Sequence, residues 1–251
     1  MQRRPLIAGN WKMHATPASA RELAQAVVAA SSDCSDRDIM IAPPFTSIPA
    51  VSEVVRGSRV ILAGQNVCWE EKGAFTGEIS PVMLKEAGCS MAIVGHSERR
   101  HLFKEDNALV NRRIQGALRF GLVPVFCIGE TIEQREAGRT MQVLEEQVRQ
   151  GLVDIEVTEP SRLVVAYEPV WAIGTGKTAS AEQAQEAHSY IRQVLDDLYE
   201  KNIASHLRIL YGGSVNPDNV DTLMGQADID GALVGGAALK AEQFERIIHF
   251  R

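Results

Sequence analysis

Hydrophobic positions along the chain gather into short apolar runs, each followed by a polar, Gly-rich turn and then a segment with helical spacing. The runs cover residues 6–8, 38–42, 60–63, 91–94, 123–127, 163–167, 208–211 and 232–234. Their length and their Val, Ile and Leu content predict eight β-strands. Between them, Leu23, Ala26, Val27 and Ala30 follow the i, i+3, i+4, i+7 pattern of a buried helical face. Val110, Ile114 and Leu118 do the same, as do Ala184, His188, Ile191, Leu195 and Leu198. Thr16-Pro17, Ser80-Pro81 and Asn216-Pro217 each set a capping side chain before a proline, the signature of a helix start. Ser180 with Gln183 fits a capping box, and Gly88 fits a helix stop.

Strands that alternate with helices imply a parallel sheet with helical cover, an α/β protein. Eight units in 251 residues are roughly 31 residues each, the length of a βα unit. That count favours closure into a (β/α)8 TIM barrel. Periodicity alone leaves an open, doubly wound sheet as the alternative. No Pro/Ser-rich linker or charge run divides the chain, so residues 1–251 are expected to form a single barrel domain.

Composition narrows the partners. A hydrophobic fraction of 45% provides for a sizeable core, and the net charge of −6 carries no basic footprint for nucleic acid. An anionic substrate would need local attraction against the sign of the whole molecule. Arg3-Arg4 precede an apolar run too short for a signal peptide, and no stretch is long and uncharged enough to span a membrane. Cys34, Cys68, Cys89 and Cys127 lie far apart without paired metal-ligand spacing, and the default is reduced thiols in the cytoplasm. The six histidines form no two-histidine helical motif, so no metal is expected. No G-x-G-x-x-G opens a helix after a strand, so no dinucleotide cofactor is expected either.

Polar and small residues cluster just after strands, which in a parallel barrel brings them to one rim. Asn10 and Lys12 follow the first strand, His96 the fourth, Glu168 the sixth, Gly212-Gly213-Ser214 the seventh and Gly235-Gly236 the eighth. Apolar neighbours at a barrel mouth would raise the pKa of Glu168 towards that of a useful base. Its followers, Pro169-Val170-Trp171-Ala172-Ile173-Gly174-Thr175-Gly176-Lys177, read as a closing lid. His96 stands at a predicted helix start, where the dipole favours the neutral ring. Lys12 would supply positive charge at a phosphate or an oxyanion, and Asn10 a hydrogen bond. The glycine pairs allow backbone N–H groups close approach to phosphate. Taken one at a time, Glu168 reads as a paired surface acid, His96 as a loop-holding residue and Lys12 as a solvated cation. Their arrangement together is what points to a site.

The ordered blocks Gly9-Asn10-Trp11-Lys12-Met13, Val94-Gly95-His96-Ser97-Glu98-Arg99-Arg100, Cys127-Ile128-Gly129-Glu130-Thr131, Ala166-Tyr167-Glu168-Pro169-Val170-Trp171, Tyr211-Gly212-Gly213-Ser214-Val215 and Leu233-Val234-Gly235-Gly236-Ala237 resemble the triosephosphate isomerase family along essentially the whole chain. The resemblance implies interconversion of dihydroxyacetone phosphate and D-glyceraldehyde 3-phosphate through an enediolate, without cofactor, in glycolysis and gluconeogenesis. It casts Glu168 as the base, His96 as the electrophile, and Lys12 and Asn10 as substrate-binding catalytic partners. Glu98 resembles the residue that pairs with Lys12, and Cys127 the cysteine near the base. Gly174, Ser214, Gly235 and Gly236 resemble the phosphate grip. The family also implies a homodimer, in which the loop from 65 to 78, carrying Val67, Trp69, Phe75 and Thr76, enters the partner subunit. Other phosphosugar barrels, such as aldolases or epimerases, fit less well, because strand six carries no lysine. A catalytically dead barrel kept for binding would have lost part of the set Asn10, Lys12, His96 and Glu168, and all four are present.

Overall fold

A computed structural model describes residues 3–172 and 178–251. Eight parallel strands close on themselves in chain order: β1 (Leu6–Asn10), β2 (Asp38–Ala42), β3 (Val60–Gly64), β4 (Met91–Val94), β5 (Val123–Ile128), β6 (Val164–Tyr167), β7 (Arg208–Tyr211) and β8 (Gly231–Val234). Closure rests on β1 pairing with both β2 and β8, with Leu6 opposite Asp38 on one side and Gly231 on the other. The open-sheet alternative is thereby removed.

Successive residues of a strand face opposite sides of the sheet. Leu6, Ala8, Met40, Ala42, Ile93, Val125, Cys127, Val164, Ala166, Leu210 and Leu233 fill the barrel interior. Ile7, Ile39, Ile41, Val94, Phe126, Val165 and Ile209 face outward against the helices. Both faces of the sheet are buried, which explains why the strands read as unbroken apolar runs.

The helical stripes are close to the expected ones. In the helix Pro17–Ala30 the buried residues are Ala20, Ala24, Val27 and Ala30, so Leu23 and Ala26 flank the stripe rather than centre it. Ser80 and Ser180 cap their helices as the sequence predicts, Ser180 through a full capping box with Gln183. Thr16 stands at an N-cap but spends its hydroxyl on Ser19, not on the backbone. Gly88 ends the helix Pro81–Glu86 with φ +95°, and the bonds from Gly88 N to Lys85 O and Cys89 N to Leu84 O make a Schellman close. The helix start expected at Asn216-Pro217 is displaced. Asn216 Oδ1 accepts from the backbone N–H groups of Asp218 and Asn219, holding a turn, so the helix begins only at Val220.

The ends of the barrel are tied by charge. Arg3 pairs with Asp230, which also accepts from Arg192 at 2.7 Å and from the Ile209 N–H, while Arg4 pairs with Asp38. Among the described residues no helix is long and apolar enough to cross a membrane.

His188, placed by periodicity on the core face of its helix, is fully buried edge-on to Tyr167 at 5.7 Å, with Nδ1 3.2 Å from the Asp228 carbonyl. Burial drives its pKa down to about 3. The folded pKa lies below the unfolded one, so the unfolded chain takes up the proton first as the solution acidifies. Stability from this group is full above about pH 6.5 and is lost as pH falls towards 3, at up to about 1.4 kcal/mol per pH unit. In denaturant titrations between pH 6 and 4, His188→Gln should therefore show a flatter decline of unfolding free energy than the native chain. Equal slopes would mean that His188 titrates as an exposed histidine does.

Candidate active site

The C-terminal ends of the strands surround a cavity of about 540 Å³. Asn10, Lys12, His96 and Glu168 line it, together with Gly212, Gly213, Ser214, Gly235 and Gly236. Of the expected lid, residues 169–172 are described, whereas Ile173, Gly174, Thr175, Gly176 and Lys177 lie outside the described residues.

Lys12 takes a left-handed backbone conformation, φ +51°, which costs a non-glycine residue about 1–2 kcal/mol. Two hydrogen bonds hold it there. Its N–H donates to Asn10 Oδ1 at 3.0 Å, and its carbonyl accepts from Gln65 Nε2 at 2.7 Å. Gln65 also donates to the Ala42 carbonyl, bracing the first loop against β2. The outcome is an ammonium turned over the cavity, 2.6 Å from Glu98 Oε1 and alongside Gly235, where an added Cβ would come within 3.3 Å of Lys12 Cε. Gly235 thus leaves room for the lysine stem as well as for a ligand.

His96 caps the helix Ser97–Leu102, and its Nδ1 accepts from the Glu98 N–H at 3.2 Å. The lone pair of Nδ1 is therefore engaged, so in this geometry the ring is neutral and carries its proton on Nε2. Nε2 lies 3.0 Å from Glu168 Oε1, and the Ser97 N–H donates to Glu168 Oε2 at 2.9 Å. Burial disfavours a charge on His96, but the adjacent Glu168 carboxylate favours one and sets a net rise above the ordinary pKa.

Glu168 itself corrects the sequence expectation. Burial pushes its pKa up, but the adjacent His96 with its hydrogen bond, the Ser97 N–H and the charge of Lys12 outweigh burial, and the net direction is down. The apolar mouth inferred from the flanking residues is in fact lined by donors, so the carboxylate is held ionised. Its backbone is tightly seated: a Cβ on Gly129 would lie 1.7 Å from the Glu168 carbonyl oxygen, and one on Gly212 would lie 2.8 Å from Glu168 Cγ. Cys127 sits in the barrel interior below, a fully buried thiol whose pKa is raised well up by burial and then by the charge of Glu168.

Some participants were missed in sequence. Ser97 contributes through its N–H, which no side-chain reading signals. Glu130, fully buried, accepts from Trp171 Nε1 at 2.8 Å and from the Tyr167 hydroxyl, with Arg135 at 3.4 Å. It thereby latches the short helix Val170–Ala172, which stands at the start of the expected lid segment. Its place directly after β5 was the available signal.

The loop from 65 to 78 is more self-contained than its sequence suggests. Val67 is buried in the core, Trp69 packs edge-on against Phe75 at 5.3 Å, and Arg112 and Arg113 lie over the indole. Arg113 also clamps Glu78 through two hydrogen bonds of 2.8 Å. Thr76 at the tip is exposed.

A closed (β/α)8 barrel whose mouth gathers a buried carboxylate, an imidazole, an ammonium and glycine loops has the layout of a barrel enzyme. A sequence model of the family described as Triosephosphate isomerase matches residues 5–251. The triosephosphate isomerases of Syntrophotalea carbinolica and of Roseiflexus sp. are 55% and 50% identical, with at least 98% of each chain covered. The crystal structure of triosephosphate isomerase from Bartonella henselae superposes with a TM-score of 0.89 at 38% identity, over 97% of both chains. The chain belongs to the triosephosphate isomerase family. It is an isomerase that interconverts dihydroxyacetone phosphate and D-glyceraldehyde 3-phosphate.

Proposed function

We propose that one barrel domain over residues 1–251 performs this isomerisation with Glu168 as base, His96 as electrophile, and Lys12 and Asn10 as stabilisers of the developing oxyanion. The observation that carries this reading is the 3.0 Å approach of His96 to Glu168 in a cavity shared with Lys12 and the late glycine loops. The carbon-bound proton of the substrate is too weakly acidic for a carboxylate unless the enediolate is stabilised as its charge forms. Both Glu168 oxygens are engaged, by His96 and Ser97, so the base must leave Ser97 to reach the substrate carbon. Substrate oxygen then takes the place of the carboxylate beside His96. The upward pull on the His96 pKa goes with it, and Nε2–H is free to donate to that oxygen. Ser214, Gly235 and Gly236, with Gly174 of the lid, grip the phosphate through their backbones. Glu98 positions Lys12, and Cys127 acts as a small buried filler beneath the base. The Trp171 bond to Glu130 holds the lid root, and closure excludes the water that would promote loss of phosphate from the enediolate.

The direct test is a coupled assay of triose phosphate interconversion, run with a chelator and without nucleotide. Robust turnover is expected, and its absence would overturn the assignment of roles.

The protein works as a homodimer in this reading, with the loop carrying Phe75 and Thr76 reaching the partner. Exposed Met13, Met83, Leu102 and Phe103 on segments that leave β1, β3 and β4 favour an apolar contact. Light scattering should give a mass near twice the 27.5 kDa of one chain. A monomer at micromolar concentration would remove the dimer. A cytoplasmic location suits the four free cysteines.

A further inference from the structure

The sequence spacing offered no paired metal ligands, yet the fold assembles three different donors far from the mouth. Asp33 and Cys34 follow the helix Pro17–Ala30, and His249 follows the helix Ala241–Ile248. Both segments lie at helix C-terminal ends, on the face opposite the cavity. Cys34 Sγ is 3.8 Å from His249 Nδ1 and 3.9 Å from Asp33 Oδ1, and all three donors lie within 4.8 Å of one another. Among the described residues no other trio of His, Cys, Asp and Glu donors is this close.

We infer that Asp33, Cys34 and His249 form a binding site for a thiophilic divalent cation of the zinc type. Zinc bonds of about 2.0–2.3 Å to N, O and S in tetrahedral array set neighbouring donors about 3.3–3.6 Å apart. The two Cys34 separations need to shrink by only a few tenths of an ångström, whereas the exposed Asp33 carboxylate, which lies 3.9 Å from His249 Nε2, must swing further to close on the Nδ1 side. The orientation of the histidine is a second, independent observation. His249 Nε2 lies 2.9 Å from the Ala30 carbonyl, which can only accept, so Nε2 carries the proton and the Nδ1 lone pair faces Cys34. That is the arrangement in which metal-binding histidines are held, one nitrogen donating to a carbonyl and the other left for the ion. The C-terminal segment is fixed as well, because Arg37 donates to the Ile248 and Phe250 carbonyls and stacks on the Phe250 ring. Asp36, 2.6 Å from Arg37, offsets that positive charge.

On binding, the Cys34 thiol proton passes to solvent and a sulfur–metal bond forms. Thiolate and carboxylate together balance a dication, and the neutral imidazole supplies the third bond. Asp33 is mostly exposed while Cys34 is buried, so the ion enters past the carboxylate and keeps water at its fourth position. The ion would join the turn after the first helix to the end of the last, stabilising the fold by mass action without touching the catalytic mouth.

The full-length chain, stripped with a chelator, should be titrated with cadmium alone. Saturable thiolate-to-metal charge-transfer absorption at one cadmium per chain is expected, with a rise in unfolding temperature. Cys34→Ser should abolish the absorption, and His249→Gln should weaken affinity at least about tenfold. Asp33→Asn, at an exposed position that leaves the fold undisturbed, should also weaken it. Isomerase turnover in metal-free buffer should be unchanged in all three. An unsaturable or absent signal in the native chain would overturn the site, as would an undiminished signal in Cys34→Ser.

Discussion

Glu168→Gln is expected to lower turnover by about 10²–10⁴-fold while leaving the affinity for an unreactive phosphate-bearing analogue within a few-fold of native. The amide cannot take up the carbon-bound proton, whereas the glycine loops and Lys12 remain to hold phosphate. The substituted side chain would also set one carbonyl and one NH2 against two donors that suit a carboxylate, the Ser97 N–H and the His96 Nε2–H, and only one of these finds an acceptor. Glu168→Asp separates position from charge. It keeps the carboxylate but withdraws it by about the length of one bond, and a misplacement of about 1 Å can cost 10²-fold. Steady-state kinetics and analogue binding decide the matter. If the glutamine variant turns over at a comparable rate, Glu168 is not the base.

Lys12→Ala should lower kcat/KM by about 10²–10³-fold, or about 3–4 kcal/mol of transition-state stabilisation, through both a higher KM and a lower kcat. Stability should change little. The Lys12–Glu98 pair is partly exposed on both sides, and such pairs contribute about 0–1 kcal/mol. Alanine would also retain the unfavourable backbone conformation at this position, because the hydrogen bonds from Gln65 and to Asn10 use main-chain atoms. A large kinetic effect with an unmoved denaturation midpoint is the expected pairing. Native kinetics in a folded variant would make Lys12 an ordinary surface lysine.

Much of this architecture could be read before any coordinates. Three strands, 38–42, 91–94 and 208–211, begin and end where the apolar runs do, because turn residues bound them tightly. The Asn216-Pro217 start was misplaced because a side chain competed locally with the helix, and propensity does not say which will win. Asn10, Lys12, His96 and Glu168 were legible as residues that follow strands, and they do share one cavity. The sign of the Glu168 pKa shift was not legible. It depends on Ser97 and His96, 71 and 72 positions away along the chain, coming within hydrogen-bond range, which apolar sequence neighbours cannot reveal. Likewise the loop from 65 to 78 was expected from the family resemblance to enter a partner, and nothing in its sequence signals that Val67 and Trp69 are packed by this chain's own residues.

The pairing of β1 with β8 has a kinetic meaning. Joining Leu6 to Gly231 closes almost the whole polypeptide into a ring, at an entropic cost of about 5 kcal/mol by loop-length scaling. That cost shrinks only when the intervening strands already stand side by side, so the seam between first and last strands zips late and contributes a high contact order to folding. The Arg3–Asp230–Arg192 cluster lies on this seam, and it acts as a clasp for a ring that the backbone alone is slow to shut.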